Sequence, residues 1–195
     1  MAIQTEFFTE TKKELFLQLK QLTLSLNEIF KQPAELWNSS LSIQGSTTKD
    51  YLDSIYTINQ SIISTIKEVS SDIYEGKINN SRLYFESDLR VVEVLLDIYI
   101  QFSAKEKNVN ISDIMYLKAS VEQQISTLYK MIELFPEDLA TNVKVKPKVI
   151  SKVALDYYQL IHLAVTHSQS QVNNITLVQN VIKLSVKTKV IPSQN

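Results

Sequence analysis

Two histidines, His162 and His167, are the side chains best suited to acid–base chemistry near neutral pH. His162 lies in the apolar run 160–165, which is typical of a hydrogen-bonded histidine in or beside a core. The alternative for His162 is a role as general base or phosphoacceptor. His167 lies in a polar run, and we expect it to be solvated. Neither histidine follows a Glu by three residues, so the Glu-x-x-His pairs of a di-iron bundle are absent.

Acidic residues could hold Mg²⁺, because this ion prefers several oxygen ligands in an octahedral array. The candidate acids are Asp50, Asp53, Glu86, Asp88, Glu93 and Asp97. Glu86, Glu93 and Asp97 share a helical face with Arg90, an arrangement that is typical of a solvated ion-pair surface. We therefore expect no metal site here.

The residues and motifs that are missing exclude several classes of protein. The absence of Cys excludes a disulfide scaffold, a thiolate metal site and a cysteine nucleophile. The chain has no Gly-rich phosphate loop, no nucleophile elbow and no His-Glu-x-x-His zinc motif. The sequence predicts a protein that is not an enzyme and that uses no cofactor. A helical hydrolase or transferase without a recognisable motif stays open as an alternative.

Basic residues are concentrated in the last third of the chain. Residues 1–139 hold 13 Lys and Arg against 20 Asp and Glu, whereas residues 140–195 hold seven Lys and one acid, Asp156. The seven are Lys144, Lys146, Lys148, Lys152, Lys183, Lys187 and Lys189. This asymmetry indicates either an anionic partner or docking on the acidic part of the same molecule. The segment has no Arg, which disfavours sequence-specific nucleic-acid binding but leaves an anionic lipid surface open.

One tryptophan, Trp37, falls with Leu36 and Leu41 in the first predicted loop. An exposed aromatic side chain at this position would anchor a protein partner. The alternative is that Trp37 caps the end of the helical body. Most of the nine Tyr lie beside apolar stripes, which favours core packing with the hydroxyl at the rim.

The elements that position these residues are predicted to be helices, because apolar residues recur at spacings of three and four. Stripes of this kind cover residues 15–29, 51–73, 85–99 and 114–135. The whole chain holds two Gly and four Pro, too few for the tight turns of a β meander. The sequence therefore predicts an all-α fold.

Helix boundaries are also readable from single residues. Pro33 is expected to stop or kink the first helix, and Pro136 to close the fourth before a single helical turn. Thr47 and Asp50 form a variant of the capping box at the start of the second helix. Gly76 is expected to end that helix.

Matched helix lengths and short connections predict an elongated antiparallel four-helix bundle with one or two additional C-terminal helices. We assign residues 1–139 to an acidic four-helix core. Residues 140–195 form a basic helical segment that packs on this core within a single domain. A fifth helix is expected from Lys148, and a break in the polar stretch 166–174 is favoured over one long rod.

No stretch of the sequence is long and apolar enough to span a membrane, and residues 1–13 do not resemble a secretory signal. We expect a soluble, cytoplasmic protein. The sequence favours a non-enzymatic interaction or scaffold protein, acting as a subunit or adaptor that binds another protein or itself. The alternative is a protein that coats a lipid surface or an inclusion through a basic amphipathic C-terminal helix.

Overall fold

A computed structural model of the chain places its regular secondary structure in helices. The structure describes residues 2–33, 36–37, 46–75, 87–92, 114–147 and 153–189, without the side chains of 2–9, 137–138 and 186–189. Within these ranges the helices are α1 (Ala2–Phe30), α2 (Thr48–Tyr74), α3 (Ile114–Leu134), α4 (Glu137–Asn142) and α5 (Tyr157–Lys189). The predicted all-α class is confirmed.

The start of α2 carries the predicted capping box. The Thr47 hydroxyl accepts a hydrogen bond from the Asp50 amide at 3.2 Å, and the Asp50 carboxylate accepts one from the Thr47 amide at 2.7 Å. These two bonds satisfy N–H groups that would otherwise lack partners at the first turn of a helix. The capping box therefore fixes the residue at which α2 begins.

Proline residues mark two further boundaries, as the sequence predicts. α1 ends at Phe30, three residues before Pro33. α3 ends at Leu134, and Pro136 then precedes the six-residue helix α4, which is the predicted single turn. Gly76, the predicted end of α2, lies outside the described residues.

Four of the helices enclose a common core. α1 and α2 each pack against both α3 and α5, so α1 and α2 lie diagonally opposite each other. α1 and α3 are antiparallel, because the Lys12 ammonium reaches the Phe135 carbonyl at one end and the Lys118 ammonium reaches the Phe30 carbonyl at the other. The short helix α4 packs against α5.

The direction of α5 follows from its hydrogen bonds to α1 and α2. α5 runs parallel to α1 and antiparallel to α2, and as a result α2 and α3 run in the same direction. In the predicted antiparallel bundle consecutive helices alternate in direction, so the second and fourth predicted helices, which are α2 and α3, should be parallel, as they are. The pairs that define the direction are Gln18 with His162, Gln32 with Lys183, Ser54 with His167 and Ser70 with Tyr157.

The third predicted helix, residues 85–99, lies largely outside the described residues. Residues 90–92 are helical, and Leu89 and Val92 from its apolar stripe are buried. The rest of this helix stays a prediction. Among the described helices, α5 takes the position beside α1 and α2, and the division of the chain at residue 139 also stays a prediction.

α5 differs from the two C-terminal helices that the sequence favours. It begins at Tyr157 rather than Lys148, because Val145 and Leu155 pair as an antiparallel bridge whose two N–H···O distances are 2.7 and 2.8 Å. The predicted break in residues 166–174 is wrong, since α5 is continuous over 33 residues. Two residues of this stretch bond to α2: His167 lies 3.1 Å from the Ser54 hydroxyl, and Ser168 donates to Asn59 at 3.3 Å.

The predicted apolar stripes form the core wherever the structure describes them. Each buried Leu or Ile contributes about 1.5–3 kcal/mol relative to an exposed one. The buried stripe residues of α1 are Leu15, Leu19, Leu22, Leu26 and Ile29, and those of α3 are Leu117, Val121, Ile125, Leu128 and Ile132. None of the helices in the described ranges combines the length and apolar character needed to cross a bilayer.

Candidate functional site

His162 is a satisfied core histidine, as the sequence favours. It lies on α5 against α1 and is buried. Its Nδ1 is 2.9 Å from Gln18 Oε1, and its Nε2 is 3.5 Å from the Thr166 hydroxyl. Both ring nitrogens therefore have partners, and these contacts hold the imidazole in the interface between the two helices.

His167 is buried rather than solvated, so the expectation from the sequence is wrong. Only 3% of the residue is exposed, and Nε2 lies 3.1 Å from the Ser54 hydroxyl on α2. Burial lowers the pKa of His167 to about 4, because the cation loses its hydration, and a hydrogen bond with the Ser54 backbone opposes the shift only in part. The imidazole is therefore neutral near pH 7.

The contact between Ser54 and His167 has the residue types of a nucleophile and its general base. A general base works best when its pKa lies near the operating pH, and a value of about 4 is far below this range. The neighbouring pair Asn59 and Ser168 also bonds across the interface between α2 and α5. We interpret both pairs as contacts that hold α5 on α2.

The acids that were candidates for Mg²⁺ have other partners where they are described. Asp50 belongs to the capping box, and buried Asp53 faces Lys49 at 3.9 Å, with its pKa raised by burial. Asp88 pairs with Arg90 at 2.9 Å, and these hydrogen bonds lower the pKa of Asp88. Glu86, Glu93 and Asp97 lie outside the described residues. Within the described ranges no three His, Asp or Glu side chains gather into a group that could hold a metal.

Asp156 is a buried acid whose carboxylate is bonded to three different residues. It precedes α5, and its carboxylate accepts from the Gln159 amide at 2.8 Å, the Ser87 hydroxyl at 3.0 Å and the Lys144 ammonium at 2.8 Å. The Gln159 side chain in turn accepts from the Asp156 amide at 3.0 Å, which completes a capping box. Burial raises the pKa of Asp156, and Lys144 offsets part of this shift.

This role of Asp156 is not among the predictions from the sequence, although Gln159 three residues later is the usual signal of a capping box. No pattern in the neighbouring sequence predicts the contacts of Asp156 with Ser87 and Lys144. Asp156 therefore joins three segments of the chain at the start of α5, and it has a structural role.

The structure describes the side chains of three of the seven C-terminal lysines, and these three have different surroundings. Lys144 pairs with Asp156, Lys146 is exposed, and Lys183 donates to Gln32 Oε1 at 2.8 Å. Lys148 and Lys152 lie outside the described residues. Lys187 and Lys189 belong to the last turns of α5, but their side chains are not described.

Trp37 caps the end of the bundle and is not an exposed anchor. The residue is 2% exposed, and its indole N–H donates to the Gln32 carbonyl at 3.2 Å. The Lys118 ammonium lies 3.8 Å from the centre of the Trp37 ring, a cation–π contact, and burial lowers the pKa of Lys118. Leu36 is half-buried, and Leu41 lies outside the described residues.

Two small clefts lie on either side of α3. The first, of about 250 Å³, lies between residues 23–27 of α1 and 122–129 of α3 and has one carboxylate, Glu122. The second, of about 200 Å³, lies between residues 56–67 of α2 and 116–127 of α3 and has one ammonium, Lys67. Each lining also has tyrosine hydroxyls, Tyr129 in the first and Tyr56 and Tyr116 in the second, but neither holds a carboxylate together with a lysine or a histidine.

The C-terminal turns of α5 carry an exposed apolar stripe, which we call the α5 stripe and define as Leu177, Val181 and Leu184. These residues are 59%, 39% and 64% exposed, whereas Val178 and Gln179 between them are buried against the bundle. The spacing of Val178, Ile182 and Val186 predicts one apolar face in this region but not the outward stripe. The spacing of 177, 181 and 184 was the signal that could have identified the outward stripe.

Comparisons with known proteins assign neither a family nor a function to this chain. The chain matches no family model, no curated protein and no solved structure. The choice among the candidate sites therefore depends on the contacts, burial and charges of the described residues.

Proposed function

We propose that the protein is a helical-bundle subunit or adaptor that binds an amphipathic helix, from another protein or from a second copy of itself, through the α5 stripe. The observation that supports this proposal is the exposure of Leu177 and Leu184, 59% and 64%, on one face of a helix whose opposite face is buried. Apolar side chains at this spacing become buried when a second helix packs along them.

The width of the α5 stripe favours a helix as the partner. At 3.6 residues per turn, positions 177, 181 and 184 cover only about 60° of the helix circumference. A helix that packs on a broad apolar surface needs about 100° or more, whereas a two-helix seam is narrower. The α5 stripe has the geometry of such a seam.

Two other exposed leucines, Leu17 and Leu24 on α1, make a weaker case. They are 57% and 58% exposed and also lie seven residues apart. The position that corresponds to Val181, four residues after Leu17, is held by Gln21, which is exposed and polar, whereas Val181 continues the apolar surface on α5. The α1 pair therefore matches the α5 pair in residue type, spacing and exposure without forming a continuous stripe.

A lipid surface is the second candidate, favoured by the lysines at the end of α5. An amphipathic helix on a bilayer buries a wide apolar face, often with aromatic residues, about 5–10 Å into the interface. The α5 stripe is narrow and has no aromatic member. Flotation with anionic vesicles tests this candidate: binding that disappears in L177Q/L184Q would favour it.

The test of the proposed function uses a stapled helical peptide of two heptads with Leu at every a and d position and Gln at the flanking positions. Fluorescence anisotropy measures its binding to the full chain, to L177Q/L184Q and to the matched control L17Q/L24Q. We expect the α5 variant to bind about tenfold more weakly and the α1 variant to bind like the original chain. Equal binding by all three chains, or a loss confined to the α1 variant, would contradict the proposal.

A further inference from the structure

We infer that the cleft between α2 and α3, which we call the α2–α3 cleft, binds a sugar acid, that is, a monosaccharide with one carboxylate. The inference concerns a small ligand and does not depend on the proposed function of the α5 stripe. The cleft has a volume of about 200 Å³, whereas sites for drug-sized ligands have roughly 300–1,000 Å³. Its size therefore suits a single sugar ring and not an oligosaccharide.

The walls of the α2–α3 cleft are polar and carry little charge. Of its nine lining residues, Ile63 is the one aliphatic side chain and Lys67 the one charged side chain. The other seven carry hydroxyl or amide groups. Such groups both donate and accept hydrogen bonds, and the hydroxyls of a sugar do the same. The lining therefore matches a ligand that is rich in hydroxyls.

Gln124 lies in the wall of this cleft and has an acceptor that the protein leaves unpaired. The residue is 5% exposed, and its Nε2 donates to the Tyr56 carbonyl at 3.1 Å and to Gln60 Oε1 at 3.2 Å. A carbonyl can only accept, so the bond to Tyr56 fixes the orientation of the amide. Gln124 Oε1 is buried and receives no hydrogen bond from the described residues. A buried acceptor without a donor is costly, and a ligand hydroxyl in the cleft would remove this cost.

Lys67 gives the α2–α3 cleft a cation without an anionic partner. Its side chain is exposed, and it forms no ion pair with the described residues. The positions three and four residues away on the helix are not acidic: they are Ile63, Ser64, Ser70 and Ser71. The cleft is therefore complementary to a ligand with one negative charge.

The unpaired acceptor and the unpaired cation together distinguish a sugar acid from other small ligands. A simple carboxylate such as acetate pairs with Lys67 but donates no hydrogen bond to Gln124. A neutral sugar donates to Gln124 but leaves the ammonium without an anion. An amine also donates, but Lys67 repels its positive charge. A hydroxylated ring with a carboxylate satisfies both groups.

The test titrates the ¹⁵N-labelled full chain with glucuronate, glucose and acetate and follows the amide resonances by NMR. We expect glucuronate to bind about tenfold more tightly than glucose or acetate and to shift the side-chain amide resonances of Gln124. K67Q should bind glucuronate no better than glucose. The matched control K130Q removes a charge from an exposed position of α3 outside the cleft and should bind like the original chain. Ser120→Phe fills the cleft from a half-buried position and should bind neither sugar.

Several results would overturn the inference. Acetate that binds as tightly as glucuronate would indicate simple ion pairing with Lys67. A loss of the preference in K130Q as well as in K67Q would indicate an effect of overall charge. Unchanged binding of both sugars by Ser120→Phe would place their site elsewhere, and no shift at Gln124 with tens of millimolar glucuronate would leave the cleft to water alone. If circular dichroism shows that Ser120→Phe is unfolded, the comparison of K67Q with K130Q decides.

Discussion

The imidazole of His167 is neutral in the folded protein because the interface between α2 and α5 excludes the water that would hydrate its cation. His167 lies against Ser54 of α2, a residue 113 positions earlier in the chain, and it is held there because α5 continues through its polar stretch. Local composition therefore gave the wrong environment for His167. It gave the correct one for His162, whose apolar neighbours in sequence are also its neighbours in the core.

Acid is expected to destabilise the protein through His167. The pKa of His167 is lower in the folded chain, about 4, than in the unfolded chain, about 6.5, so unfolding takes up a proton between these values. The contribution of neutral His167 to the free energy of unfolding is complete above pH 6.5 and is lost as the pH falls. Between pH 7 and pH 5 we expect a loss of about 2 kcal/mol in the free energy of unfolding.

Urea unfolding of the original chain and of H167Q at these two pH values measures this loss. The glutamine keeps a hydrogen-bonding group beside Ser54 and does not titrate, so the difference between the two chains isolates the histidine. Asp53 and Asp156 have raised pKa values and act in the opposite direction at lower pH, where they take up protons more readily when folded. Parallel pH profiles for the two chains would show that His167 is not the titrating group.

Removal of the Asp156 carboxylate is expected to cost more than the removal of any other described carboxylate. Asp156→Ala removes the cap of α5 and leaves Ser87 and Lys144 without their carboxylate partner. We therefore expect the free energy of unfolding to fall by about 2–4 kcal/mol. Asp156→Asn keeps a good capping group and should lose less. Asp88→Ala is the control, because its ion pair with Arg90 is exposed, and it should cause no measurable change. Equal effects of the three substitutions in urea unfolding would refute the assignment.

At the scale of elements, α5 shows where sequence periodicity succeeds and where it fails. The stripes of α1, α2 and α3 predict those helices because one face of each is apolar along its whole length. The stretch 166–174 of α5 is polar on its inner face as well, since Ser168 and Gln171 are buried. A buried polar face cannot be distinguished from a loop without the partner residues on α2.

The continuity of α5 is tested by a proline in the middle of the polar stretch. Asn173 is exposed, so Asn173→Pro changes little except the backbone, where it removes a helical hydrogen bond and clashes with the preceding turn. We expect it to lower the free energy of unfolding by about 3 kcal/mol or more, measured by urea unfolding and circular dichroism. Asn173→Ala is the control and should be nearly neutral. A proline variant as stable as the alanine variant would indicate a break in the helix.

At the scale of the whole molecule, most apolar residues of the described helices are buried between the helices, and the α5 stripe is an exposed exception. The core could be predicted from the sequence because it depends on short-range spacing. The α5 stripe could not be distinguished from core residues, since Leu177 and Val178 are equally apolar and only the packing of α1 and α2 decides which of them faces outward. The charge asymmetry between the two parts of the chain was readable, but the contacts of Lys144 and Lys183 were not.

The most direct test of the α5 stripe is to map where a partner helix binds. The ¹⁵N-labelled chain, titrated with the Gln-flanked stapled peptide, reports binding through the amide chemical shifts of each residue. We predict that the largest shifts lie in residues 173–189 of α5 and are absent in L177Q/L184Q. Shifts centred on Leu17 and Leu24 or on the cleft between α1 and α3, or no shifts at saturating peptide, would contradict the proposal.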